Sequence, residues 1–184
     1  MWKFGVYRLG ELPDVKAKFV ELPYKKGNSS DDVSMFIILP DEINGIGELV
    51  KNLEKVTVQR LLRGTRRSVR VYLPKFKMES TIDLEVPLTK LGLGEIFSDN
   101  ANFAGIVASP PLKIYKSVQK AFIEVNEKGT EASVATETQF ILRTWTEDVE
   151  YKPIDFKADH PFVAVIATKR GLPLFSAVVM DPIY

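Results

Sequence analysis

The chain contains no cysteine, only one histidine, and almost no excess of either charge. Without cysteine there is no thiol nucleophile, no disulfide scaffold and no thiolate metal site. The net charge is +1, so we expect neither nucleic acid nor membrane as a partner. No apolar run approaches the ~18 residues of a membrane span. The opening residues, MWKFGVYRLGE, also lack the basic-then-apolar pattern of a signal peptide.

Catalytic and ligand-binding motifs are also missing. His160, in ADHPF, is accompanied by no nucleophile motif such as G-x-S-x-G. No P-loop or G-x-G-x-x-G is present. The carboxylate pairs in DLE and TEDVE have no other metal-ligating residues beside them in the sequence. We therefore predict a structural or capping role for His160, no metal or cofactor, and no enzymatic activity.

The hydrophobic pattern predicts a strand-rich chain of mixed class. A length of 184 residues suits one sizeable domain or part of a larger one. Alternation predicts strands over 15–20 and 68–76, a continuous apolar run predicts a buried strand over 33–40, and 111–127 is long and strand-like. HPFVAVIAT and LPLFSAVVM, joined by KRG, predict a hairpin with Gly171 in its turn.

Helical patterns are few and short. Apolar spacing predicts a helix over 46–62 with a break near 56–58. The segment DLEVPLTKLGLGEIF predicts a short helix that Pro87 interrupts and that stops near Gly92 and Gly94. There is no regular alternation of strands and helices, so the sequence predicts the α+β class.

One segment, NEKGTEASVATETQFILRTW (126–145), has the pattern of a strand where a loop is expected. After the turn glycine, residues 130–139 contain no glycine, proline or lysine, although loops usually need glycine and proline to turn. Alternate residues are small or apolar and those between them are mostly polar, which suits one core face and one solvent face. The small or apolar set is Thr130, Ala132, Val134, Thr136, Thr138 and Phe140.

Several segments together resemble the serpins, the serine protease inhibitors. KAFIEVNEKGTEASVAT (120–136) resembles the serpin hinge, and FKADHPFVAVI (156–166) is similar to the C-terminal signature. ELPY, SMFIILP, LPKFKMES, LTKLGLGEIFS and ANFAGI resemble further serpin segments in the family's order. The resemblance implies the multi-sheet α+β serpin fold, C-terminal half only. Residues 1–184 would form a single partial domain, with a long exposed reactive-centre loop at about 128–153 and the N-terminal half as a partner.

The resemblance also gives the strand-like segment a function. In serpins this loop is bait, and after cleavage it inserts into the central sheet as an extra strand. A charge among the first inserting residues would be buried at a cost of several kcal/mol. Small, uncharged Thr130, Ala132 and Val134 therefore favour an inhibitor. The implied hinge residues are Glu127, Gly129, Thr130, Glu131, Ala132, Ser133, Val134 and Ala135.

The implied bait bond is Arg143–Thr144. Arg143 lies 14 residues after Gly129, the spacing usual in inhibitory serpins, and no other arginine or lysine occurs between Lys128 and Lys152. Arginine suits a specificity pocket that holds an aspartate, so a trypsin-like serine protease is the predicted partner. The neighbouring apolar subsites would take Phe140, Ile141 and Leu142.

The chain departs from the serpin pattern at two places. Gln119 stands before KAFIEV, where serpins commonly carry histidine; an amide can keep the hydrogen bonds but not their response to pH. Seventeen residues separate Arg143 from Pro161, which is long for the family. This stretch carries Glu147, Asp148 and Glu150, and it is either a solvated loop or a contact for a basic patch on the protease.

Two further sites are predicted from composition. An arginine-rich segment, RLLRGTRRSVR, is either a solvated positive face or a site for sulfated glycosaminoglycan. Its arginines are Arg60, Arg63, Arg66, Arg67 and Arg70. Asn28, in NSS, is an N-glycosylation acceptor and favours an extracellular, secreted parent protein.

Three functional readings follow. The first is a suicide-type inhibitor of a trypsin-like protease, with this chain inactive alone. The second is a non-inhibitory serpin-derived binding or structural module. The third, an unrelated enzyme, has no catalytic residues to support it.

Overall fold

A computed structural model of the chain describes residues 2–24, 32–107, 109–126 and 152–182. The described residues form two compact units. Unit 1 comprises Met1–Phe76 and Val125–Tyr184, and unit 2 comprises Lys77–Glu124. The strands are β1 (Trp2–Leu12), β2 (Ala17–Pro23), β3 (Val33–Pro40), β4 (Thr65–Tyr72), β5 (Phe76–Asp83), β6 (Val118–Val125), β7 (Ile154–Lys157), β8 (Phe162–Thr168) and β9 (Pro173–Val179).

Unit 1 is built on a seven-stranded sheet in the order β7-β4-β1-β2-β3-β8-β9. Neighbours are antiparallel except β4 and β7, which are parallel. β3 lies inside the sheet and is buried over residues 34–40, because a strand covered on both faces needs apolar side chains on both. The predicted buried strand over 33–40 is confirmed.

The core of unit 1 packs aromatic and aliphatic side chains against the inner strands. The rings of Phe19 and Phe36 lie 6.5 Å apart between centroids. Phe76 and Phe162 meet edge-on, with their centroids 5.6 Å apart. Leu49 and Leu61 from the helical segment pack into the same cluster as Phe19 and Phe36. Burial of this kind contributes roughly 1.5–3 kcal/mol for each large apolar side chain.

The helical segment of unit 1 breaks where the sequence predicts. Helix α1 (Ile46–Lys51) is followed by a single turn at Leu53–Lys55, and helix α2 (Val58–Leu61) begins after it. Thr57 precedes α2 in extended conformation, and its hydroxyl accepts a hydrogen bond from the Arg60 backbone N–H. This is an N-cap, so the predicted break near 56–58 marks a new helix start.

The C-terminal hairpin is confirmed as well. β8 and β9 pair antiparallel, and Gly171 lies in the turn between them with a φ of +93°. This conformation is strained for a residue with a side chain. A Cβ at this position would lie 2.5 Å from Gln59 Nε2, but this flexible side chain can move, so the backbone conformation is what favours glycine.

Unit 2 contains the two-stranded sheet and a series of helical turns. β5 pairs with β6. Helix α3 (Glu85–Leu88) continues into turns at Thr89–Leu93 and Gly94–Phe97, and Gly92 has a φ of +88°. The predicted stop at Gly92 is therefore confirmed. The predicted interruption at Pro87 is wrong: Pro87 lies within the first turn of α3, where no helical N–H partner is needed. None of the described residues from 77 to 124 is buried.

Three strand predictions have wrong boundaries. The strand predicted over 111–127 begins only at Val118, because the preceding segment is held by the helical turns: the Ile114 N–H donates to the Ile96 carbonyl at 3.0 Å. The strand predicted over 15–20 starts at Ala17, after a tight turn at Pro13–Val15. The one predicted over 68–76 is the end of β4 and the first residue of β5; Pro74, which has no N–H to donate, lies between them.

Candidate functional site

The bait loop predicted from the sequence falls outside the described residues. This applies to the bond Arg143–Thr144, to the subsite residues Phe140, Ile141 and Leu142, and to the acidic stretch with Glu147, Asp148 and Glu150. It also applies to the hinge residues Glu127, Gly129, Thr130, Glu131, Ala132, Ser133, Val134 and Ala135, and to Asn28. The structure describes the two strands between which this segment runs, β6 before it and β7 after it.

β6 leads into the predicted loop as one strand of a two-stranded sheet. It pairs with β5, and among the described residues no strand lies on its other edge. The ammonium group of Lys77 lies 5.2 Å from the centroid of the Phe122 ring. Gln119 is exposed within β6, whereas Val125 at its end is buried. A strand with an open edge of backbone N–H and C=O groups can accept a further strand.

β7 follows the predicted loop and attaches it to unit 1. Residue pairs from Val69–Ile154 to Tyr72–Lys157 form the parallel ladder with β4. Phe156 is buried in the middle of β7. Directly after the strand, the Ala158 N–H donates to the Tyr72 carbonyl at 2.9 Å. The C-terminal end of the predicted loop therefore has a fixed position on the sheet.

The opposite face of β7 carries charged contacts. Arg70 Nε lies 2.8 Å from Asp155 Oδ1. This Nε is shielded from solvent, and its N–H does not point at an acceptor in hydrogen-bond geometry, so the contact is an ion pair rather than a hydrogen bond. Two pairs further along the ladder, the Lys157 ammonium lies 5.7 Å from the centroid of the Tyr72 ring.

The five arginines of the predicted polyanion site are not equivalent. Arg70 is paired with Asp155, and Arg60 is paired with Asp14 through both guanidinium nitrogens, one at 2.7 Å. Arg66 and Arg67 are consecutive in β4, so their side chains point to opposite faces of the sheet. A site for sulfated glycosaminoglycan stays a prediction, and only one of Arg66 and Arg67 can contribute to it, because they lie on opposite faces.

The Asp14–Arg60 pair also shifts the titration of both groups. The hydrogen bond from Arg60 holds the pKa of the Asp14 carboxyl below its usual value. The same hydrogen bond raises the pKa of the Arg60 guanidinium. Both groups are solvent-exposed, so water and salt screen the interaction.

The histidine joins two strand ends. His160 Nε2 lies 2.8 Å from the Pro40 carbonyl oxygen, and Nδ1 lies 2.8 Å from Asp159 Oδ1. Pro40 ends β3 and Phe162 begins β8, which are neighbouring strands of the sheet. These contacts are those of a structural histidine that holds the two strand ends together.

One buried polar cluster has no counterpart among the sequence predictions. The carboxylate of Glu21 is buried and accepts a hydrogen bond from Arg8 Nε at 2.7 Å and another from Ser34 Oγ at 2.7 Å. Arg8 lies where β1 is paired with β4 on one edge and with β2 on the other. The only signal in the sequence is that Glu21 directly follows the apolar residues Phe19 and Val20 of β2.

The described residues supply no metal-ligating group. Among residues 2–24, 32–107, 109–126 and 152–182, no cluster of three or more His, Asp or Glu side chains could hold a metal ion. Nor does any helix in these ranges have the length and apolar character needed to cross a membrane.

Comparison with known proteins identifies relatives along the whole chain. The chain is 42% identical over 175 residues to an uncharacterized serpin-like protein of Methanosarcina acetivorans, covering 93% of this chain and 39% of that protein. It is 36% identical over 178 residues to the leukocyte elastase inhibitor of Bos taurus, covering 92% of this chain and 44% of the relative. The chain thus spans less than half the length of the relatives it matches.

The fold comparison agrees with the sequence comparison. The crystal structure of uncleaved ovalbumin matches with a TM-score of 0.73 and 31% identity, over 99% of this chain and 44% of ovalbumin. A family-level sequence model described as Serpin (serine protease inhibitor) matches residues 1–182. The α+β fold, the relatives and this match together show that the chain belongs to the serpin family.

Proposed function

We propose that this chain carries the bait loop of a serpin that inhibits a trypsin-like serine protease by loop insertion. In this proposal Arg143–Thr144 is the bond that the protease attacks. Residues from Thr130 onward then add to the open edge of β6 as a new strand. The protein would be a suicide substrate rather than an enzyme, and its activity would require the remainder of a serpin domain.

The observation that carries the proposal is the composition of the segment that continues β6. Thr130, Ala132 and Val134 are small and uncharged, and they occupy alternate positions. As an inserted strand, this segment would place them on one face. β6 itself shows no partner on its second edge among the described residues. Strand addition needs both features: an open edge, and a strand that can be buried beside it without an unpaired charge.

The relatives support inhibition as the general activity. They include a leukocyte elastase inhibitor and an antichymotrypsin of Bombyx mori, names that refer to serine proteases. Preference for a trypsin-like enzyme rests on Arg143 alone. Its guanidinium can pair with a buried carboxylate in the specificity pocket of the protease. Extracellular location stays a prediction, based on Asn28.

The first test replaces the residue at the bait bond. The chain is completed with the part of the Methanosarcina acetivorans relative that lies outside the match, and the product is incubated with trypsin. We expect an SDS-stable complex with Arg143 and with Arg143→Lys. Arg143→Glu should slow complex formation by at least about a thousandfold, because it places like charge in the specificity pocket. An unchanged rate for Arg143→Glu would place the bait bond elsewhere.

The second test separates cleavage from insertion. Thr130→Arg adds a charge to the face that would be buried, whereas the matched variant Glu131→Arg adds the same charge to the opposite face. We expect Thr130→Arg to be cleaved after Arg143 but not to trap trypsin, and Glu131→Arg to trap it. Mass spectrometry identifies the cleavage site, and gel electrophoresis measures the complex. Normal trapping by Thr130→Arg would show that residue 130 does not insert.

A second candidate function is a non-inhibitory binding or structural module. It is favoured by the similarity to ovalbumin, 34% over 169 residues, a name that refers to no protease. If the completed domain is cleaved after Arg143 and never traps trypsin, even with an unchanged loop, this second function replaces the first.

A further inference from the structure

The turn that precedes helix α1 contains the dipeptide Asn44–Gly45. A hydrogen bond from the Gly45 N–H to the Glu42 carbonyl, at 2.9 Å, closes this turn. Asn44 is exposed within it. The Gly45 carbonyl then accepts the first hydrogen bond of the helix, from the Leu49 N–H at 3.0 Å. One peptide unit therefore joins an exposed amide side chain to the start of α1.

Packing favours glycine directly after Asn44. A Cβ at residue 45 would lie 2.9 Å from Pro40 Cβ and 3.0 Å from the Glu42 carbonyl oxygen. The first of these atoms belongs to a proline ring and the second to the backbone, so neither can move aside easily. The φ of Gly45 is −75°, which any residue adopts. The close approach of neighbouring atoms, rather than the backbone conformation, therefore keeps a residue without a side chain at this position.

The absence of a side chain on residue 45 leaves its nitrogen open to reaction with Asn44. Without a Cβ on residue 45, this backbone nitrogen can approach the Asn44 Cγ without steric hindrance. Among the residues that the structure describes, none is hydrogen-bonded to the Asn44 side chain. By contrast, hydrogen bonds to the backbone hold the side chains of Asn52 and Asn102, at 3.0 and 3.1 Å. The Asn44 side chain is thus free to rotate toward the nitrogen that follows it.

We propose that Asn44 is a site of spontaneous deamidation and that opening of the turn at 42–45 controls its rate. The Gly45 nitrogen gives up its proton and attacks the Asn44 Cγ. A carbon–nitrogen bond forms, and the side-chain nitrogen leaves as ammonia, which carries a proton in place of the one lost. The product is a cyclic succinimide. Water then opens the ring at one of its two carbonyl groups and yields either aspartate or isoaspartate.

The hydrogen bond that closes the turn opposes this reaction. While the Gly45 N–H donates to the Glu42 carbonyl, its proton is held and the nitrogen cannot turn toward the side chain. The reaction therefore proceeds from conformations in which this bond is broken. Local opening of an exposed turn costs little free energy, so Asn44 reacts in the folded chain, but more slowly than in the unfolded one.

The two products differ in their effect on helix α1. Aspartate keeps the length of the main chain and replaces an exposed amide with a carboxylate. Isoaspartate adds a methylene group to the main chain, inside a turn that one backbone hydrogen bond closes. Ile46 and Leu49, which follow the turn, pack in the buried core cluster. Isoaspartate at residue 44 therefore loosens the attachment of α1 to the core, whereas aspartate does not.

The first experiment locates the reaction. The folded 184-residue chain is incubated at mildly alkaline pH, and mass spectrometry of its peptides measures conversion at each asparagine. Asn52, Asn100 and Asn102 are internal controls, because each precedes a residue with a side chain. We expect Asn44 to convert at least about tenfold faster than any of these three. Equal rates at the four asparagines would overturn the proposal.

A parallel incubation in urea tests the control by the turn. In the unfolded chain Asn44 should convert at least about threefold faster than in the folded chain, because no hydrogen bond holds the Gly45 N–H. Equal rates in the two states would overturn the claim that turn opening controls the reaction. Asn44→Gln is the matched variant, since it keeps an amide but its longer side chain cyclises far more slowly. Residue 44 of this variant should stay intact in both incubations.

The second experiment measures the consequence for α1. Chromatography separates the isoaspartate form of the incubated chain, and Asn44→Asp supplies the aspartate form alone. We expect amides of residues 46–51 to exchange at least about twofold faster in the isoaspartate form, and at the unchanged rate in Asn44→Asp. Equal exchange in the two forms would contradict the loosening of α1. Neither experiment depends on protease inhibition, so the proposed function and this inference fail separately.

Discussion

The two units of this molecule contain similar apolar residues but differ in how far these residues are buried. In unit 1, phenylalanine, isoleucine and leucine side chains fill a core in which Phe36, Ile37 and Ile38 are completely buried. In unit 2 the same residue types lie at the surface: Leu91 is 77% exposed and Ile106 is 76% exposed. None of the described residues from 77 to 124 is buried. Composition alone therefore does not determine burial.

The difference comes from the number of neighbours that each sheet provides. A seven-stranded sheet with packed helices covers its inner strands from both faces, whereas two strands and a few helical turns cannot cover one another. Exposed apolar surface of this extent normally marks a place where other protein packs. Unit 1 thus has a buried core and unit 2 has none among the described residues, although Trp2, Phe4 and Leu172 of unit 1 are exposed as well.

The largest expected effect compares one phenylalanine from each unit. Phe36→Ala removes a completely buried ring that packs against Phe19, and we expect a loss of about 3–5 kcal/mol in the free energy of unfolding. Phe122→Ala removes a ring that is 56% exposed, and we expect a loss below about 1 kcal/mol. Urea denaturation of both variants measures the difference. Equal losses of unfolding free energy in Phe36→Ala and Phe122→Ala would contradict the claim that unit 1 has a core and unit 2 does not.

A smaller effect concerns self-association through unit 2. We expect the 184-residue chain to self-associate and to inhibit no protease when alone. Leu91→Glu combined with Ile106→Glu should weaken association by roughly tenfold, since two exposed apolar side chains are removed. Sedimentation velocity over a range of concentrations gives the mass.

The control for this experiment is Ile43→Glu in unit 1. Ile43 is 71% exposed, so it is as accessible as the two residues of unit 2, but it lies outside the poorly covered region. We expect this variant to associate like the unchanged chain. A chain that is monomeric at every concentration, or one that traps trypsin unaided, would show that unit 2 needs no cover.

The smallest effect is a pH dependence that the two units share. A hydrogen bond from Arg60 lowers the pKa of Asp14 in unit 1, and one from Lys113 lowers the pKa of Asp99 in unit 2. Because each pKa is lower in the folded chain, the pairs stabilise it above the ordinary value of about 3.9. That stabilisation is lost as the pH falls through the folded pKa. Carboxyl carbon NMR titration should show the two pKa values rising in Arg60→Gln and Lys113→Gln respectively.

Each of these two variants serves as the control for the other. Arg60→Gln should leave the pKa of Asp99 unchanged, and Lys113→Gln should leave that of Asp14 unchanged. A carboxyl whose pKa does not move when its own partner is removed would show that the pair does not form in solution.

Local patterns were sufficient for the elements that local physics determines. The run over 33–40 predicts β3 because a strand covered on both faces must be apolar throughout. Gly171 marks the β8–β9 turn because only glycine adopts its backbone conformation without strain. Thr57 marks the start of α2, although the sequence pattern indicates only a break there. Each of these signals lies within a few residues of the feature it specifies.

Features that depend on distant residues could not be predicted. The sequence gives no clear strand over 2–12, where glycines at 5 and 10 interrupt the apolar pattern. β1 forms because β4 and β2 pair with it on its two edges. In the same way, Arg70 and Asp155 stand 85 positions apart and meet only through the register of β4 and β7. The bait bond Arg143–Thr144 stays a prediction, because it rests on the spacing after Gly129 that the resemblance implies.

The pairing of β3 with β8 has a consequence for synthesis of the protein. Ile38 and Val163 are partners in the sheet, yet 125 residues separate them in the sequence. At about 5–20 residues per second, a ribosome needs roughly 6–25 s to produce β8 after β3 has emerged. During that time VSMFIILP, an uncharged strand of high β propensity, has one edge open, which is the type of segment that nucleates aggregation. β3, which is buried over residues 34–40 in the finished sheet, is therefore the strand that most needs a chaperone while the chain is being made.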